Sequence, residues 1–323
     1  MQSELFDLIV RGGTVVTGAL EVRADVGIRG EKIAAIAAEL SPAMARRTID
    51  AAGKLVLPGA IDVHDHFELP FCGTVSADDF VNGTKAAAMG GVTTVIDFAI
   101  QGAGTVMDAV RARREQADPK VCIDYGLHAG ITRWDEERKE EIPEIIAAGL
   151  PTFKMFMIYK AQGWQSNDGA LFAALRETAP LGGMIGVHAE NNDLIELLIA
   201  EEVARGELSC VSHARTRPDY TESEAIGRAI QWAEATGGRL YIFHLSAGRA
   251  ARMVAWARSH GIKVAAETCP QYLLLDDELF ARPDGHHFAT CPPIRKKYDQ
   301  EELWRGLVEE YLEVVATDTC TFD

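Results

Sequence analysis

From Val56 onward, short apolar runs rich in β-branched residues alternate with longer amphipathic stretches, and this alternation restricts the fold more than any other feature of the chain. Strand and helix in repeated order place parallel strands side by side, with helices outside them. Eight strand runs can be counted: the first leads into His64, and the others cover 93–98, 121–128, 152–157, 184–188, 240–244, 263–268 and 313–318. Helical stretches such as 77–89, 136–148, 221–235 and 247–260 lie between them. Eight such units are the number that closes a barrel. The expectation is therefore an α/β chain with a (β/α)8 barrel over 55–323. Residues 1–54 instead carry short β-rich pieces around Gly12-Gly13 and Arg29-Gly30-Glu31, which read as a small antiparallel sheet.

The polar residues of the barrel portion fall at informative places. In Asp62-Val63-His64-Asp65-His66, two imidazoles two residues apart on an extended segment share one face. Neutral imidazole is a common ligand for divalent metals. Lys154, His188, His244 and Asp318 also sit at or near the C-terminal ends of strand runs, so metal-capable residues mark runs one, four, five, six and eight. Those ends converge on the mouth of a closed parallel barrel. Singly, each would read as a core histidine satisfied by a carbonyl, or as a buried charge paired with its opposite. Together they read as one metal site.

The charge balance narrows the partners. A formal net charge of -16, with no basic arm, disfavours nucleic acid and anionic membrane surfaces. No long apolar run suggests a membrane span, and Met1-Gln2-Ser3-Glu4 lacks a cationic leader, so a cytoplasmic protein is expected. The six cysteines are scattered without a Cys-x-x-Cys pair, which suits reduced thiols.

Several segments taken together resemble the cyclic amidohydrolases, and within them the dihydropyrimidinase and hydantoinase branch. They are His64-Asp65-His66 with Phe67 to Phe71, Phe153-Lys154-Met155-Phe156-Met157-Ile158-Tyr159, Val187-His188-Ala189-Glu190-Asn191, Phe243-His244-Leu245-Ser246, Glu267 to Leu273, and Val315-Ala316-Thr317-Asp318. The resemblance implies a barrel of the metal-dependent amidohydrolase type, with 1–54 as the N-terminal part of a β-sandwich. It implies two divalent metal ions, usually Zn2+, bridged by a hydroxide and by N6-carboxylysine at Lys154. His64, His66 and Asp318 would hold the more buried ion, and His188 and His244 the other. A cationic lysine would be repelled in that setting, whereas an anionic carbamate offers two oxygen ligands.

The implied activity is hydrolysis of the ring amide of a cyclic imide or ureide, a dihydropyrimidine or 5-substituted hydantoin. Asp318 would take the proton of the nucleophile and pass it to the leaving nitrogen. Tyr159 would support the oxyanion. The main chain at Cys291, where relatives commonly carry serine, would bind the ring edge, and Leu69, Phe71 and Tyr159 would line the substituent pocket. A homotetramer is also implied. Thr319 stands where the family usually has histidine, and family members continue well beyond Asp323, so the barrel is expected to be truncated after its eighth strand. Allantoinase and other cyclic amidohydrolases are the nearest alternatives. Dihydroorotase fits less well, because Phe67-Glu68 replaces the arginine that would hold an anionic ring. A non-catalytic scaffold of the dihydropyrimidinase-like type is the alternative of a different class.

Overall fold

A computed structural model describes residues 6–322 and divides the chain into two compact units, Met1–Ala60 and Ile61–Asp323. The first unit is a five-stranded sheet of β1 (Phe6–Val16), β2 (Glu21–Arg29), β3 (Lys32–Ala37), β4 (Ala45–Asp50) and β5 (Leu55–Val56). It is mixed rather than antiparallel: β2 runs antiparallel to β1 and β3, but β4 and β5 both pair with β1 in parallel. Gly12-Gly13 does not end a strand either. It forms a bulge inside β1, with Gly12 at a φ of 71° and its N–H donating to Asp25 Oδ1 at 2.7 Å. A side chain at Gly13 would meet Val56 Cγ2 at 2.5 Å, so glycine lets β1 and β5 approach.

The second unit holds eight strands in one parallel sheet: β6 (Ala60–Asp65), β9 (Val92–Ile100), β10 (Asp124–Gly130), β11 (Thr152–Phe156), β12 (Met184–His188), β13 (Arg239–Ile242), β14 (Val264–Thr268) and β15 (Val314–Val315). Between β6 and β9 lies a small hairpin of β7 (Pro70–Phe71) and β8 (Thr74–Val75). The sheet is ordered β15-β14-β13-β12-β11-β10-β9-β6, and its ends meet through a parallel bridge of Asp65 with Thr319. Asp62 reinforces that meeting, since its Oδ1 accepts from both His64 N at 3.3 Å and Thr317 N at 3.1 Å. The eighth expected strand is thus short, and a carboxylate of the first strand holds the segment after it.

Helices fill the connections. The expected stretch 77–89 begins at Phe80, because Asp79 caps it by accepting from Asn82 N at 2.6 Å. The third strand starts three residues later than its apolar pattern suggests. Val121 and Ile123 pack instead with Phe67, Phe80 and Val95 in a separate small cluster. The strand period then sorts the barrel's interior from its wall. Phe153, Met155, Ile185, Val187, Leu240 and Ile242 join a core that includes helix residues Leu171, Leu175, Ala229 and Val254. Full burial of each of the larger apolar side chains among them contributes about 1.5–3 kcal/mol. Lys154, Gly186 and Tyr241, one position out of step, line the barrel's interior cavities.

Candidate metal and substrate site

At the C-terminal ends of these strands lies a cavity of about 360 Å³. His64 reaches it from β6, Lys154 from β11 and His188 from the last position of β12. His66, His244 and Asp318 reach it from the turns that follow β6, β13 and β15. Tyr159, Cys291, Leu69 and Phe71 line the same space, so all ten positions singled out from the sequence face one cavity. Tyr159, His244 and Asp318 have positive φ values of 70°, 39° and 52°. A left-handed backbone costs a residue with a side chain roughly 1–3 kcal/mol, and such strain gathers where geometry serves a site.

Two groups of donors can be distinguished. His64 Nε2 and His66 Nε2 are 3.1 Å apart, and Asp318 Oδ1 lies 3.1 Å from the first and 3.4 Å from the second. His64, His66 and Asp318 form a cluster whose ligand atoms all lie within 4.8 Å of one another. The other group is His188 and His244, with ring centroids 4.4 Å apart, and Lys154 Nζ is 3.5 Å from His244 Nε2. Lys154 is 2% exposed and has no ion pair among the described residues.

Burial keeps three of the four imidazoles neutral. Burial lowers His66 to about 4 and also lowers His188 and His244, so these imidazoles are neutral with lone pairs available. Burial likewise opposes charge on His64, but the carboxylates of Asp318 and Glu267 outweigh it and raise this imidazole to about 9. Asp318 is held well below the ordinary carboxylate range, because His64, His66 and His244 overcome the effect of its burial. Burial brings Lys154 down to about 8, which leaves part of its amine neutral near physiological pH.

These residues fit a metal centre on the donors alone. His64 Nε2, His66 Nε2 and Asp318 Oδ1 converge on one point, a set of nitrogen and carboxylate donors that suits a divalent ion. The acids that orient the ligands were quoted in the motifs but given no role. Glu267 accepts from His64 Nδ1, from His244 N at 3.1 Å and from the Tyr241 hydroxyl at 2.8 Å. Glu190 bonds His188 Nε2 at 2.7 Å. Such outer partners fix the tautomer and ring angle of a ligating histidine. Asp97, which sequence reasoning missed, accepts from Phe67 N at 3.0 Å and takes two bonds from Arg113 at 2.8 Å, fixing the turn after His66.

The outer wall is aromatic. The Phe71 ring centroid lies 5.3 Å from those of both Tyr159 and Trp164, and Phe156 packs 5.1 Å from Trp164. Trp164 and Phe322 also line the cavity, and neither carries a local sequence signal that would have marked it. Leu69 is held on the hairpin by its N–H to Ser76 Oγ at 2.8 Å and by Ser76 N to its own carbonyl at 2.9 Å. Thr290, before Cys291, is fixed by its carbonyl accepting from His213 Nε2 at 2.7 Å.

Residues 55–277 match the amidohydrolase family. The chain is 41% identical over 321 residues to a D-hydantoinase of Streptomyces coelicolor, spanning 97% of this chain and 68% of that relative. Among solved structures, D-hydantoinase from Bacillus sp. AR9 superposes with a TM-score of 0.94 at 42% identity, over 98% of this chain and 69% of that one. Dihydropyrimidinase from Brevibacillus agri gives a TM-score of 0.95 at 40% identity over the same shares. The eight-stranded barrel, the convergent donors and these likenesses agree, and the chain belongs to the amidohydrolase family, in its hydantoinase and dihydropyrimidinase branch.

Proposed function

We propose that this protein hydrolyses the ring amide C–N bond of a small cyclic imide or ureide, of the dihydropyrimidine or 5-substituted hydantoin class. The observation that carries the reading is one continuous cavity whose base is imidazole and carboxylate and whose wall is apolar and aromatic. Amidohydrolases are metal-dependent, and this histidine-rich base is the place for the metal. His64, His66 and Asp318 would hold one divalent ion, His188 and His244 a second, and Lys154, as a carboxylated side chain, would serve both. Zn2+ suits this set of nitrogen and oxygen donors. When bound, such ions supply a Lewis acid for the ring carbonyl and lower the pKa of water towards neutrality.

The chain's own residues do the rest. Asp318 Oδ accepts the proton of the attacking water and returns it to the ring nitrogen as the C–N bond breaks. Its depressed pKa keeps it in the accepting form at the outset. The Tyr159 hydroxyl donates to the carbonyl oxygen as charge develops there. Burial pushes this phenol well above its ordinary value, so it remains a donor at neutral pH. The main chain at Cys291 holds the N–H and C=O edge of the ring, while Leu69 and Phe71 contact the substituent and exclude water. Assembly as a homotetramer, as the family resemblance implies, and a cytoplasmic location complete the reading. No described helix is long and apolar enough to cross a membrane.

The test is metal analysis of the purified protein beside ring opening of hydantoin and dihydrouracil. About two equivalents of metal with ring opening is the expected result. Protein that stays metal-free and inert after zinc and bicarbonate are added overturns the proposal.

A further inference from the structure

Below the metal-binding residues, at the strand-start end of the barrel, lies a second cavity of about 210 Å³. Its apolar lining includes Val63, Ile96, Phe153, Met184, Phe243 and Val314. The polar atoms that border it are already engaged. His128 Nδ1 bonds Thr152 Oγ1 at 2.6 Å, its Nε2 bonds the Val63 carbonyl at 2.9 Å, and the Tyr241 hydroxyl donates to Glu267. Few free polar atoms remain to hold water, and apolar cavities of comparable size bind apolar gases such as xenon. Ile96, Met184 and Val314 are only half-buried, and the last two open their strands, so the cavity reaches the surface at the end opposite the mouth.

An aromatic ring links this cavity to the mouth. Phe243 borders the lower cavity, and Lys154 Nζ, which lines the mouth, stands 3.9 Å from the centroid of the same ring. Gly186 makes room for that ring: a side chain there would meet Phe243 Cε2 at 2.1 Å.

We infer that this lower cavity is a binding site and entry route for carbon dioxide, delivering it past Phe243 to the Lys154 amine. The inference rests on the proposal that Lys154 is carboxylated. Carbon dioxide, unlike bicarbonate, is uncharged and apolar, so it partitions into such a space. The amine lone pair forms the N–C bond, one C–O π pair moves onto oxygen, and the nitrogen releases a proton to water in the mouth. What results is an anionic carbamate, with no oxidation or reduction.

The test starts from metal-free protein decarboxylated at mildly acidic pH and returned to neutrality with 13C-labelled carbon dioxide. The 13C carbamate signal is followed in the wild type and in Val314→Phe and Ile96→Phe, which fill the cavity. Xenon-pressurised crystals of the wild type locate gas independently of any variant. Xenon in the lower cavity, with carbamate forming severalfold more slowly in a filled variant, is the expected result. Equal rates in variants shown by xenon to be filled, or no xenon in the wild-type cavity, overturn the route while leaving Lys154 carboxylation standing. No carbamate signal in the wild type removes both.

Discussion

The two ends of the barrel use the same buried side chain in opposite ways. His128, towards the strand-start end, is 6% exposed and has both ring nitrogens engaged, by Thr152 and by the Val63 carbonyl. At the mouth His244 is buried and His66 half-buried, with the Phe98 ring stacked 4.6 Å from His66. Each nevertheless keeps a buried nitrogen without a partner. A buried polar atom left unpaired costs roughly 1–3 kcal/mol, and a native protein tolerates that where something else binds. The lower imidazole is a strut and the upper ones are unsatisfied donors, a distinction made by hydrogen bonds rather than by residue type or burial.

The largest effect should come from the mouth. Asp318→Asn removes the proposed proton carrier and one proposed anionic ligand, and turnover of hydantoin or dihydrouracil should fall by about 10²-fold to 10⁴-fold. Metal content, measured on the same samples, should fall with it. Near-normal turnover in this variant would mean that the mouth is not where the chemistry occurs. Tyr159→Phe tests the wall next. If the phenol donates only as charge develops on the carbonyl oxygen, kcat should drop by roughly 10²-fold to 10³-fold while KM changes little. A rise in KM at constant kcat would instead make Tyr159 a binding contact.

How far this contrast could be read from the chain depends on distance along it. The eight strands and the residues of the mouth are legible because side-chain alternation and strand-end placement are local patterns, and the six proposed ligands fall on that grid. The pairing of β4 and β5 with β1 was not, since nothing within those segments encodes the direction of a neighbour. Glu267 illustrates the same limit at the site. It sits in a motif, but its meaning comes from His64, 203 residues earlier. His128 closes a strand run just as His188 and His244 do, and only the Thr152 hydroxyl and the Val63 carbonyl reveal it as a strut.

A variant at the lower end should therefore behave differently. His128→Ala strips partners from Thr152 Oγ1 and the Val63 carbonyl and should lower unfolding free energy by about 1–3 kcal/mol, read from urea denaturation. Metal content and KM should stay at wild-type values in the protein that remains folded. Loss of metal without loss of stability would place His128 with the mouth and collapse the comparison.

The smallest effect, and the one that sets the two ends directly against each other, is the pH dependence of the metal-free protein. Burial lowers His128 from 6.5 to about 3, so between those values the unfolded chain binds a proton that the folded chain refuses. Stability must then fall as pH drops below 6.5, and His66, lowered to about 4, adds to this acid limb. His64 is displaced the other way, to about 9, by Asp318 and Glu267 acting against its burial. Its contribution is fully present below pH 6.5 and is lost as pH rises through 9, because there the folded state holds the extra proton. The urea midpoint of the metal-free protein should therefore fall on the acid side and also between pH 6.5 and 8, above which Lys154, lowered from 10.5 to about 8, opposes the His64 decline. Glu267→Gln should flatten the alkaline limb, and His128→Gln should lessen the acid one. Added zinc should remove the alkaline decline, since an ion at His64 takes the place of the proton that would otherwise leave. An alkaline limb unchanged by both Glu267→Gln and zinc would show that His64 does not carry the mouth's charge.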